Sequence, residues 1–340
     1  MIRSGQVYST ANEESADLCR TRFRIGGISV SVCGDRMEDV ALIPSLQPFQ
    51  IELGPSDIQI RVEWTSTLSP LSRRQLFDSG TTWRCYEDAG GLRFDFNSPV
   101  FGSRPYKRLF VDGAFQNATL KMSRQSFADF PCEAEPLEYP LDELLIMHRL
   151  TQEKAVELHG SGIVRPDGSG NLFVGHSGAG KSTTTRLWIE REDVHVLSDD
   201  RIIVRRDEAR DPGSGEQVGI LRLRDRSALA TGHFAQDDKP GKMRMYGTPW
   251  HGEAMFASPA SAPISRIFVL EHGHGNVLTT LSPSQAVAEL FARSFVPFHR
   301  HEYVDAALEF LQEVVGAVPV YRYAFEPDQH AVDTILNFHD

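Results

Sequence analysis

Long hydrophobic runs are missing from this chain. No stretch approaches the roughly 18–20 consecutive apolar residues that a membrane-spanning helix requires, so no membrane association is expected. The opening residues, MIRSGQVYSTANEESADLCR, lack the apolar core of a secretory signal, and a cytoplasmic location is the expectation. Cysteine is scarce. Cys19, Cys33, Cys85 and Cys132 are scattered and form no Cys-x-x-Cys pair, which argues against a zinc ribbon or a disulfide framework and for reduced thiols. Clustered positive charge is also absent: Lys and Arg total 35 against 46 Asp and Glu, a net charge of -11, and no segment could neutralise a row of phosphates. Sequence-independent nucleic-acid binding is not expected on that ground. There are no internal repeats. What is present is 340 residues, 41% hydrophobic and 24% charged, a globular composition long enough for two cores.

From about Phe23 to Met122 apolar residues recur at every second position, as in Ile28-Ser29-Val30-Ser31-Val32 and Ile58-Gln59-Ile60-Arg61-Val62. This pattern predicts half-buried antiparallel strands. Trp83–Tyr86 and Leu92–Phe96 flank Asp88-Ala89-Gly90-Gly91, a hairpin-turn sequence. Near Pro140 the period changes, with Leu141, Leu144, Leu145 and His148 on one helical face. The reading is therefore a β-rich unit over 1–135, suited to acceptor or partner recognition, followed by an α/β unit over 136–340. In the second unit strands are expected at 171–175, 194–198, 264–270 and 318–323. Helices are expected at 181–190, from the capping box at Ser282, and from about Tyr303 to Gly316. The segments 207–217 and 231–245 read as polar loops.

The strongest chemical signal is Gly175-His176-Ser177-Gly178-Ala179-Gly180-Lys181-Ser182, a full match to G-x-x-x-x-G-K-[ST] between a predicted strand and a predicted helix. Such glycines let backbone N–H groups turn inward around phosphate oxygens, and the helix that follows presents its positive end to the same anion. Lys181 would reach the β- and γ-phosphates and Ser182 would ligate Mg²⁺, with Thr183 beside it. Nucleotide binding, with ATP and Mg²⁺ as cofactors, is the expectation. Asp199-Asp200 follows the strand at 194–198, where a carboxylate can face the phosphate loop. One acid would hold the metal, with Asp200 the candidate ligand beside Ser182, and the other would accept a proton from an attacking hydroxyl. Asp237-Asp238, in a polar loop without a leading strand, reads as solvated charge. His159, just before a strand at 163–164 that forms a hairpin with 171–175, is by itself a turn or strand-end residue. Lys242–Glu253 fits either a lid with Lys242 or Arg244 over a phosphoryl group or a loop packing Trp250 on the core. His272, His274, His299 and His301 have no accompanying acids or cysteines and read as solvated.

Leu158-His159-Gly160, the loop 175–182 and Asp199-Asp200, in that order and spacing, together resemble the catalytic domain of HPr kinase/phosphorylase, a member of the phosphoenolpyruvate-carboxykinase-like group of P-loop folds. The match extends over roughly 140–335 and is specific over 158–204. It implies an α/β fold in which a P-loop domain of that kind follows the β-rich unit, with His159 beside the acidic pair, Lys181 and Ser182 on phosphate and metal, and Asp199 or Asp200 as base. Thr183 stands where that family usually has Glu, and its segment for engaging HPr is not recognisable after Asp200. The chain is accordingly similar to the divergent relatives, some of which modify peptides, including serine-bearing lasso-peptide precursors. Expected is an ATP- and Mg²⁺-dependent kinase acting on a hydroxyl, serine of a peptide or protein acceptor. The alternatives are a nucleotide-responsive binding protein and a simple NTPase. HPr kinases form hexamers, so an oligomer is compatible with the resemblance.

Overall fold

The computed structural model describes residues 18–130, 132, 134–207 and 242–338. Asp237-Asp238 and most of the two polar loops lie outside them. The protein is a mixed α/β structure with one sheet in each half. The N-terminal sheet contains β1 (Cys19–Ile25), β2 (Ile28–Gly34), β3 (Ile58–Thr65), β4 (Gln75–Asp78), β5 (Trp83–Asp88), β6 (Gly91–Phe96), β7 (Lys107–Asp112) and β8 (Asn117–Ser123), in the order β1-β2-β3-β8-β7-β6-β5-β4. The expected hairpin is β5–β6, with Asp88 opposite Gly91. The sheet is not all antiparallel, as the alternation had suggested: β3 runs parallel to both β2 and β8. Period-two patterning records which face of a strand is buried and carries no information on the direction of its neighbour.

Alternation places Val30, Val32, Ile58, Ile60, Val62, Leu109 and Leu120 on one buried face. After the short α1 (Arg124–Asp129), α2 (Leu141–Leu150) lays Leu141, Leu144 and Leu145 into this same core, which also takes in Ile203 and Trp250 from the C-terminal half. On the outer face, Arg61, Asp88, Phe110, Asp112 and Thr119 line an open depression of about 580 Å³. It shares no residue with the site described below.

The C-terminal half contains β9 (Ala155–Val164), β10 (Gly170–Val174), α3 (Lys181–Arg191), β11 (His195–Ser198), β12 (Arg201–Arg206), β13 (Met243–Tyr246), β14 (Ser261–His272), β15 (Val277–Thr280), α4 (Pro283–Phe291), β16 (Ser294–Phe295), α5 (His301–Ala317), β17 (Val320–Phe325) and α6 (Gln329–Leu336). Strands β10, β9, β12, β13 and β14 pair in succession, and β10 pairs again with β14, so the five close into a barrel. Strand β17 extends β14 in parallel, and β15 pairs with β17. Because β10 and β14 bury both faces, they read as apolar runs rather than alternating strands. Phe173 and Phe268 belong to a buried cluster with Trp188 of α3 and Ile335 of α6, whereas Leu172 and Val269 belong to another with Leu290 of α4 and Leu311 of α5. This layering aligns the C-terminal ends of β10, β14 and β17, the edge at which open parallel sheets bind ligands. Helix α5 begins at His301 and passes through Gly316 to Ala317. Met243–Met245, part of an expected loop, is instead strand β13.

Candidate active site

The site is organised around the middle of β9, which is longer than the sequence suggested and contains His159 in its interior. Along one edge of β9 lie β11 and β12, joined by the turn Asp199-Asp200; along the other runs β10, whose last residue, Val174, stands opposite Gly160. Backbone bonds fasten these pieces to one point. The Gly160 N–H donates to the Asp200 carbonyl at 2.9 Å, the Gly175 N–H donates to the His159 carbonyl at 3.2 Å, and the His159 N–H donates to the Arg293 carbonyl at 2.8 Å. The three motifs separated in sequence therefore meet.

From Val174 the chain turns through 175–180 into α3. Gly178 and Gly180 have φ of +80° and +98°, a region where a Cβ is strained, and a Cβ on Gly180 would lie 2.4 Å from Phe325 Cζ. Gly180 caps α3, so the helix begins at Lys181 with its N-terminal N–H groups directed at the loop. His176, Ser177 and Gly178 are exposed; Ala179, Gly180, Ser182 and Thr183 are half-buried; Gly175 and Lys181 are buried. Lys181 Nζ donates to the carbonyls of Gly175 (3.1 Å) and His176 (3.3 Å). Burial pulls its pKa down, aided by the charges of Arg201 and Arg293, against the upward pull of Asp200 and Asp199. His272, at the end of β14, holds its Nε2 2.7 Å from the Gly178 carbonyl.

The two aspartates differ sharply. Asp199 is 1% exposed, and its carboxylate accepts the Gly252 N–H at 3.0 Å and the Ala254 N–H at 2.9 Å. It is turned into the loop after β13. Asp200 is the accessible acid, with Oδ1 2.9 Å from His159 Nε2 and Oδ2 accepting from Arg201 Nε at 3.1 Å. Burial raises the Asp200 carboxyl, but the His159 hydrogen bond and the charges of His159, Arg201 and Lys181 outweigh it and hold it below its ordinary value. Arg201 lies 3.6 Å from the centre of the Phe295 ring and pairs with Glu143 at 2.9 Å.

Beneath this pair lies a buried acidic group. Glu157 is driven well above its ordinary value by burial and by the neighbouring Glu143 charge, against the opposing charge of Arg201. Asp142 is raised by burial to about 7, even though the Trp250 indole N–H donates to it at 2.7 Å. That bond anchors the loop that grips Asp199.

Of the segment 242–253, residues 243–246 form β13 and Trp250 packs on the N-terminal core, as one of its two sequence readings expected. Arg244 is buried in β13 opposite Arg205, at the far end of the strand pair from Arg201. It donates to Ser261 Oγ at 3.2 Å and does not line the site. His272, His274 and His301 are exposed, but His299 is half-buried against His148, and burial lowers it to about 4. Among the described residues no cluster of three or more His, Cys, Asp or Glu side chains could hold a metal alone. All four cysteines are free. Among the described residues, no helix is long and apolar enough to cross a membrane.

Sequence reasoning missed Arg201, Arg293 and the Trp250–Asp142 bond. Single arginines and a tryptophan carry no motif, and their partners lie far along the chain. No protein-family model matches the chain, and no curated protein matches it in sequence.

Proposed function

We propose that the protein is an ATP- and Mg²⁺-dependent kinase that transfers the γ-phosphoryl group to a hydroxyl, serine of a peptide or protein, on a P-loop domain of the HPr-kinase-like kind. The observation that carries this reading is the His159–Asp200 pair, 2.9 Å apart, fastened by backbone bonds to the first residue of a glycine loop whose lysine is buried beside it. A loop of this kind binds phosphate, and an ionised acid next to it supplies what an acceptor hydroxyl needs.

In this reading the N–H groups of 175–182 and Lys181 hold the triphosphate. Asp200, kept ionised by His159, Arg201 and Lys181, accepts the hydrogen bond of the acceptor hydroxyl. As the acceptor oxygen forms its bond to the γ-phosphorus, the bond to the β–γ bridging oxygen breaks. ADP leaves with that electron pair, and the hydroxyl proton passes to Asp200. Asp199 acts as a positioning residue through its grip on Gly252 and Ala254.

Magnesium fits the donor set in the manner usual for this ion, with one or two protein oxygens supplemented by phosphates and water. The half-buried Ser182 hydroxyl would hold it together with phosphate oxygens and water, and the Asp200 carboxylate, free to take the acceptor proton, would reach it through water. When bound it would neutralise phosphate charge. The N-terminal sheet is assigned to acceptor recruitment.

The test is transfer of label from γ-labelled ATP with Mg²⁺ into a cell lysate. Label entering one discrete species with the wild type, and none with Lys181→Ala or Asp200→Asn, is the expected result. ATP binding that Lys181→Ala abolishes, without transfer by the wild type, would replace the kinase with a nucleotide-responsive binding protein. Release of free phosphate alone would make it an NTPase.

A further inference from the structure

Arg293 follows the last turn of α4 and is 9% exposed. Its Nη1 donates to the Glu289 carbonyl at 2.8 Å and to the Glu289 carboxylate at 2.5 Å, which caps the helix end. Capping uses only part of the guanidinium. The Nε–H is buried with no acceptor, a costly state for a charged donor. Its counter-ion is also divided, because the other Glu289 oxygen accepts from Arg322 Nη2 at 2.7 Å. One carboxylate thus serves two arginines.

The location of this surplus charge is set by the backbone. The Arg293 carbonyl takes the N–H of His159, and the next two residues, Ser294 and Phe295, pair with Leu158 and Glu157 of β9. The Arg293 backbone is therefore one hydrogen bond from His159 and two from Gly175. The Arg293 charge is the foremost cause pulling the exposed His176 imidazole of the glycine loop below its ordinary value. A buried guanidinium with an unspent donor, tied by backbone bonds to the strand that carries His159 and the glycine loop, is held where a polyanion would relieve it.

We propose that Arg293 is a second cation on the γ-phosphoryl group, joining Lys181 and reading the triphosphate against the diphosphate. The assignment rests on the nucleotide reading above. Charge-assisted contacts to phosphate account for the expected size of the effect, about tenfold to a hundredfold in affinity.

The experiment compares ATP and ADP affinities by titration calorimetry with Mg²⁺ for the wild type, Arg293→Met and Arg293→Lys, with thermal melting as the check on folding. The wild type is expected to prefer ATP. Arg293→Met should lose about tenfold to a hundredfold for ATP with ADP changed less than about twofold, and Arg293→Lys should fall between. Equal loss for both nucleotides, or no loss, overturns the role of Arg293 while the nucleotide reading stands. A wild type that binds neither nucleotide overturns both. If Arg293→Met melts early, the folded Arg293→Lys decides, because a purely capping lysine would leave the ratio of ATP to ADP affinity at the wild-type value.

Discussion

Replacing each of two adjacent aspartates by asparagine is expected to give opposite outcomes. Asp199 is 1% exposed and accepts two backbone N–H groups, from Gly252 and Ala254. Asparagine keeps one acceptor and turns an NH₂ donor toward the other N–H. The variant therefore loses one charge-assisted bond, worth about 1.5–3 kcal/mol, and buries facing donors that cost about 1–3 kcal/mol, so Asp199→Asn should lose about 2.5–6 kcal/mol. Asp200 has a side chain 28% exposed, its partner Arg201 keeps Glu143, and an asparagine carbonyl still serves one of its two donors. Asp200→Asn, which loses one charge-assisted bond and buries no facing donors, should cost about 1.5–3 kcal/mol. Its main effect should fall on phosphoryl transfer, a loss of about 10²–10⁴-fold, as removal of a general base produces. Urea unfolding of both variants, followed by tryptophan fluorescence and paired with the transfer assay, separates the two. An Asp199→Asn protein as stable as wild type, or an Asp200→Asn protein that is the less stable of the two, would refute the division of roles.

Two further outcomes follow from the geometry. Gly180→Ala should cost about 2–5 kcal/mol, combining the positive-φ penalty with overlap against Phe325; Phe325→Leu, which removes the ring, should recover the overlap part in a double-mutant cycle, and zero coupling would contradict the contact. His148 is held at about 3 by burial first, then by the charges of His299 and Arg300, whereas the unfolded chain protonates near 6.5. Its neutral burial therefore supports the fold fully above about pH 6.5, and that support drains away as pH falls toward 3, by about 2 kcal/mol at pH 5. His148→Phe, set among Phe94, Phe115 and Tyr303, should flatten the loss of stability between pH 7 and pH 5, and an unchanged slope would count against this origin.

Much of the site was legible because its chemistry is local. The glycine loop requires small residues and left-handed backbone at fixed spacings, so Gly178, Gly180 and Lys181 announce it in a single window of sequence. The hairpin joining β9 and β10 and the helix that starts after Pro140 are local in the same sense. What was not legible depends on partners distant along the chain. Nothing in Asp199-Asp200 distinguishes the two acids until residues 252 and 254 arrive to occupy one of them. Arg293 looks like any arginine at a helix end until β16 pairs with β9. The parallel neighbours of β3 are hidden because its alternation is the same whichever way those neighbours run.

Trp250 belongs by packing to the N-terminal core, by chain position to the loop that holds Asp199, and by hydrogen bond to α2. The eight-stranded sheet is consequently part of the foundation on which the acidic turn rests, and it is not a detachable accessory. A lineage could not exchange this half for an unrelated module without also replacing the seat of Trp250. The two halves are bound to one inheritance, and substitutions in the sheet have to leave its inner face able to receive that indole.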